Sequence, residues 1–128
     1  MDRRTRAGYT IIEILIVLLV MGILVLLALP RLQSQKEKAT FASMESDLRN
    51  LATAEEGYLF NKGTYTADLV ALQATVSPGN VLVVNEATTS GWSATATHVP
   101  AVSKTCYLFH GSATPVGSAV NEGVISCS

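Results

Sequence analysis

Residues 14–30 read ILIVLLVMGILVLLALP, a run with no charged side chain in which Gly22 is the one residue neither bulky nor alanine. With Tyr9 to Glu13 in front, the stretch reaches the roughly 20 residues that carry a helix across the hydrocarbon core of a bilayer. Its flanks are unequal. Asp2, Arg3, Arg4 and Arg6 give the first eight residues a side-chain charge of +2, which leaves −3 on the rest of a chain whose formal net charge is −1. Basic residues ahead of an apolar span place the N-terminus in the cytoplasm and the bulk of the chain outside. Beyond Pro30 the text turns polar, with Arg31, Lys36, Glu37, Lys38, Glu45, Asp47 and Arg49 in quick succession. No basic patch of the kind that binds nucleic acid is present.

Three kinds of N-terminal segment have this hydropathy. A secretory signal would have a shorter apolar part and a small-x-small cleavage site after it, and Leu26-Leu27-Ala28-Leu29-Pro30 is a poor version of one. An ordinary single-span anchor fits the length but leaves Glu13 unexplained. A carboxylate within a membrane segment costs about 2.5 to 3.5 kcal/mol on insertion scales, and so points to a function and a partner. Its plain alternative is a hydrated side chain near the interface.

The third kind is carried by the residues themselves. Gly8-Tyr9-Thr10-Ile11-Ile12-Glu13-Ile14-Leu15-Ile16-Val17, with a short basic leader before it and Gly22 and Pro30 after it, resembles the class III signal of type IV pilins and pseudopilins. In that family a prepilin peptidase cuts on the cytoplasmic side, ahead of the apolar segment, and methylates the new N-terminus. The resemblance implies cleavage between Gly8 and Tyr9 and methylation of Tyr9. It equates Glu13 with the glutamate that guides assembly, and Gly22 and Pro30 with a helix-weakening pair. Tyr9 departs from the usual phenylalanine but keeps an aromatic ring.

Past Pro30, Leu32, Phe41, Met44, Leu48, Leu51 and Leu59 recur at the three-and-four spacing of an amphipathic helix. Asn61-Lys62-Gly63 offers it a stop, with a cation in the last turn and then a residue tolerant of positive φ. A helix from Tyr9 to Lys62 is about 80 Å long at 1.5 Å per residue. A domain built from the remaining residues cannot cover such a rod, so its first half must be buried by lipid or by other copies. Gly57 weakens the second half for no reason visible in the sequence.

Residues 63–80 read as a connecting loop with a short helical turn. Four short runs of strand character come next, at 81–86, 92–98, 105–110 and 123–127. In the second, Trp92, Ala94 and Ala96 alternate with Ser93, Thr95 and Thr97, giving one face for the helix and one for solvent. The expected fold is α+β, a long N-terminal helix packed on a small C-terminal antiparallel sheet of about four strands. The expected organisation is a cleaved leader over 1–8, a membrane and filament-core half of the helix over 9–30, an amphipathic half over 31–62, the loop over 63–80, and the sheet with a disulfide-bounded region over 81–128.

In an exported chain the two cysteines, Cys106 and Cys127, are read as a pair, and in this family such a bond staples the C-terminal segment to the sheet. The other reading is a metal site from Cys106 and His110, an even number apart on a strand, with His98 nearby. The sparse acids after Gly63, namely Asp68, Glu86 and Glu122, form no catalytic pair by spacing, and no phosphate loop or nucleophile elbow occurs. An enzyme and a bound cofactor are therefore not expected.

The resemblance implies a structural subunit whose partners are copies of itself, the prepilin peptidase, the membrane and the assembly machinery of the inner membrane. It starts as an inner-membrane precursor and ends in an extracellular filament. Such filaments serve adhesion, twitching motility or DNA uptake, and the chain carries no motif for any one of these. Major pseudopilins of type II secretion carry a calcium site of acidic and carbonyl oxygens near the C-terminus, and here Glu122 is the one acid after Glu86. The expectation is accordingly a type IV pilus subunit, with a minor pilin or a secretion pseudopilin as the alternative and a single-span binding module more distant.

Overall fold

In the computed structural model, residues 10–99 and 104–128 are described. Helix α1 covers Ile11–Lys62. Thr10 opens it: its carbonyl accepts from Glu13 N at 3.0 Å and Ile14 N at 3.3 Å, and its Oγ1 takes Glu13 N at 3.4 Å. This is an N-cap of the threonine kind. Lys62 supplies the basic last turn, and Gly63 leaves the helix with φ of 75°, a left-handed conformation that glycine enters without a Cβ clash. The helix runs unbroken through Gly22 and Pro30.

The chain divides between Glu37 and Lys38 into two compact units. In the first, the helix presents apolar side chains all round: Ile11, Leu18 and Leu26, for example, are 83%, 62% and 71% exposed. It contains a stretch long and apolar enough to cross a membrane, by length and composition. In the second unit, the stripe Met44, Leu48 and Leu51 is fully buried.

Strands β1 (Asn80–Ala87), β2 (Gly91–His98), β3 (Thr105–Gly111) and β4 (Ser126–Cys127) form one antiparallel sheet in the order β1-β2-β3-β4. Trp92, Ala94 and Ala96 of β2, with Cys106 and Leu108 of β3, join the helix stripe in one buried cluster.

Two details depart from the sequence reading. The face of β2 opposite the helix is not left to solvent along its length. Ser93 is buried, as are Phe109, its cross-strand partner, and Ala113 and Ala119. The segment between β3 and β4 passes over that face, with Gly117 so close that a Cβ there would run into the Tyr107 ring. Strand β4 is also shorter than expected. Gly123 takes φ of 71°, outside the extended region, and contributes one bond to the β3 edge, Gly123 N to Phe109 O at 2.9 Å.

Candidate assembly surface and the anchors of the C-terminal unit

The residues singled out from the sequence fall into two groups. Gly8 and Tyr9 lie outside the described residues. Glu13 stands in the first turn of α1, and among the described residues no hydrogen bond or ion pair reaches its carboxylate. Its backbone N–H is the one Thr10 caps, so Thr10-Ile11-Ile12-Glu13 has the spacing of a capping box. The threonine-to-glutamate spacing is the sequence signal for that cap. Around Gly22 there is open space where a side chain would begin. No side chain or other backbone within 4 Å of an added Cβ therefore demands glycine there.

In the second unit Cys106 and Cys127 form a disulfide. They face each other in the β3–β4 register with their Cα atoms 4.0 Å apart. The metal reading is not assembled. Cys106 is taken by the disulfide, His98 Nδ1 lies 2.7 Å from Asn80 Oδ1, and both ring nitrogens of His110 face carboxylates. Among the described residues no group of three or more histidine, cysteine or acidic side chains is placed to hold a metal ion.

Three polar anchors carry long-range contacts that the sequence does not announce. Asp47, on the helix and 3% exposed, accepts from Ser77 N at 3.0 Å, Ser77 Oγ at 2.8 Å and Asn80 Nδ2 at 2.6 Å. It thus fixes the end of the connecting loop and the start of β1 to α1. Glu55, fully buried, accepts from Thr66 N at 3.1 Å through Oε2, while its Oε1 has no hydrogen-bond partner among the described residues. Burial pushes its carboxyl above the usual carboxylate range; the Thr66 N–H pulls the other way, and the neighbouring Glu56 adds to the rise.

The third anchor is His110, whose side chain is 43% exposed. It is 3.6 Å from Glu56 and 3.2 Å from Glu122. It lines a groove of about 790 Å³ together with the apolar side chains of Ala52, Trp92, Leu108 and Ile125.

Comparison with known proteins bears first on the N-terminus. The family model for the prokaryotic N-terminal methylation motif matches residues 3–29, which spans Gly8, Tyr9, Glu13 and Gly22. Among curated proteins, type II secretion system core protein G of Klebsiella michiganensis is 33% identical over 81 residues, covering 63% of this chain and 57% of that protein. The Pseudomonas aeruginosa protein of the same name is 32% identical over 76 residues, 59% of this chain and 54% of its own length. Fimbrial protein EcpC of Eikenella corrodens is 35% identical over 99 residues, 71% of this chain and 62% of that protein. The chain thus spans somewhat over half the length of the secretion relatives it matches. With the methylation motif in register and a long apolar helix leading into a four-stranded antiparallel sheet, the chain belongs to the type IV pilin and pseudopilin family.

Proposed function

We propose that this chain is the structural subunit of a filament of the secretion-pseudopilin kind, made as a membrane-anchored precursor and assembled by bundling of its apolar half-helix. The observation that carries the reading is the helix surface up to Leu32, where leucine, isoleucine and valine side chains point outward on all sides. A helix apolar all round needs lipid or other helices about it. Lipid serves the precursor and other copies serve the filament. Residues 9–30 would be the part that changes from one to the other, and residues 31–62 the part that carries the sheet.

Cleavage between Gly8 and Tyr9 would create an amine four residues from the Glu13 carboxylate. On a helix that spacing puts both on one face. Taken into an apolar bundle neither tolerates being alone, because a buried ion stripped of its partner costs about 3 to 5 kcal/mol. The Tyr9 amine of one copy pairing with Glu13 of the next satisfies both, and penalises any other register. Gly22 and Pro30 would let the segment between them loosen as copies pack, since glycine costs about 1 kcal/mol in a helix and proline removes one backbone bond.

The names of the relatives favour a secretion pseudopilin over the pilus subunit expected from the sequence. A filament in the periplasm or at the surface, made from this chain with other pilin-like subunits, the prepilin peptidase and the inner-membrane assembly machinery, accords with that reading. The residues after β3 do not fit a calcium site. Glu122, the one acid there, is occupied by Gly111 N at 2.7 Å and by His110. In this chain the disulfide takes the place of such an ion in holding the C-terminal segment. That same absence of acids, with the fimbrial relative, supports a pilus subunit as the second reading.

Deleting the chain from its host separates the two. A pseudopilin's loss leaves exported enzymes stranded in the periplasm with surface pili intact. Loss of surface pili with normal secretion would establish the second reading instead.

A further inference from the structure

We propose that His110 is a pH-operated latch which, when its ring is protonated, fastens the segment preceding β4 to the end of α1. His110 lies on β3, paired across the sheet with Trp92. Its Nε2 is 3.6 Å from Glu56 Oε1 on the helix, and its Nδ1 is 3.2 Å from Glu122 Oε1 on the C-terminal segment. Each oxygen already has a second donor: the Tyr65 hydroxyl gives to Glu56 Oε1 at 3.0 Å, and Gly111 N gives to Glu122 Oε1 at 2.7 Å. The Tyr65 ring stands edge-on to the imidazole, with centroids 6.3 Å apart at 86°.

This arrangement discriminates between the two forms of the ring. A neutral imidazole has one N–H and one lone pair, so it can donate to one of the two carboxylates and must turn a lone pair towards the other. The imidazolium carries an N–H on each nitrogen and so presents a proton and positive charge to both carboxylates. The ionisable side chains that face the two ring nitrogens are carboxylates. Glu56 and Glu55 come from α1 and Glu122 from the C-terminal segment; from β2 the neighbour is the uncharged Trp92. Arg49, which also lines the groove, is itself paired with Glu45 at 3.3 Å. Tyr65 does not compete as an acid. Its phenol is pushed up to about 12, by burial first and then by its bond to Glu56 and the surrounding carboxylates, so it goes on donating throughout the range in which an imidazole titrates.

Three elements meet at the ring, and the consequence is local. The Glu122 carboxylate caps the β3 edge beyond the last rung of β4, with Gly123 N bonding Phe109 O beside it. Losing the proton removes one of the two ring contacts, and that edge opens more often. The sign comes from the geometry: the latch is closed while the ring is charged and weakens as pH rises.

Hydrogen exchange at the Gly111 amide, measured by NMR on the full chain in detergent micelles at about pH 5.5 and pH 8, reads this directly. After correction for intrinsic chemistry, protection at Gly111 should fall about threefold to tenfold across that interval, the scale of one or two partly exposed ion pairs. His110→Gln should abolish the fall. Glu56→Gln keeps an acceptor for Tyr65 and leaves the Gly111 bond untouched, yet should reduce it. His98→Gln, whose ring serves Asn80, should leave it as in the parent. A parent chain with flat protection, or a His110→Gln or Glu56→Gln chain with the parent's full pH response, would overturn the latch.

Discussion

Residues 14–29 of α1 turn leucine, isoleucine and valine to every side. Residues 44–55 concentrate their apolar groups on one stripe, Met44, Leu48 and Leu51, with Asp47 and Glu55 buried beside it. The second pattern makes its own environment, because a stripe can be covered by one small sheet. The first is exposed on every side among the described residues, and on the proposed reading its cover comes from lipid or from neighbouring copies. One helix therefore belongs to two energetic systems, and a substitution should act on one of them alone.

The largest effect should come from Glu13→Ala, which touches the first system. Filament assembly should drop by more than tenfold, the scale of an uncompensated buried charge, while the membrane pool remains processed and at normal abundance. Filament yield and immunoblots of membranes check both halves. Abundant, normally built filaments of the pure variant would show the carboxylate to be a bystander.

Cys127→Ser touches the second system. A bond across 21 residues is worth about 3 kcal/mol by loop entropy, and denaturant unfolding followed through the single tryptophan, the buried Trp92, should register that loss. Membrane insertion should be unchanged, and a variant that unfolds as the parent does would mean the bond constrains nothing.

A smaller, pH-dependent effect is expected at Glu55. Its folded-state carboxyl titrates above its unfolded value, so the folded protein holds that proton more tightly and stability falls as pH rises from the unfolded value through the folded one. Glu55→Gln should remove this fall and gain on the parent as pH is raised through that window in thermal unfolding. An unchanged slope would assign the pH dependence elsewhere.

Gly57→Ala should give the smallest change, a gain of about 1 kcal/mol. Gly57 is helical and open to solvent, with no atom within 4 Å of an added Cβ. Its presence has no packing explanation in the structure. Loss of stability on substitution would show a constraint that a single copy of the chain does not display.

Legibility in the sequence divides along the same line. Periodicity places the helix and its end at Lys62, alternation places three strands to within about two residues, and the methylation signal is written in consecutive residues. The polar anchors are beyond reach, because each joins positions far apart in the chain: Asp47 to Ser77 and Asn80, Glu55 to Thr66, Glu56 and Glu122 to His110. No local pattern encodes such pairings. The cover over Ser93 escapes for a related reason, since residues 112–125 have no period and their small side chains, Ala113 and Ala119, look like loop filler until a sheet is beneath them. Strand β4 reads too long because Val124 and Ile125 have strand character that the turn at Gly123 overrides.

Whether the apolar half-helix enters a filament core as a processed chain is tested most directly by the intact mass of subunits from purified filaments. The expected subunit begins at Tyr9, is one methyl group heavier than its sequence, and has Cys106 and Cys127 oxidised. A mass that retains Met1 to Gly8, or a start after Ala28, would contradict it.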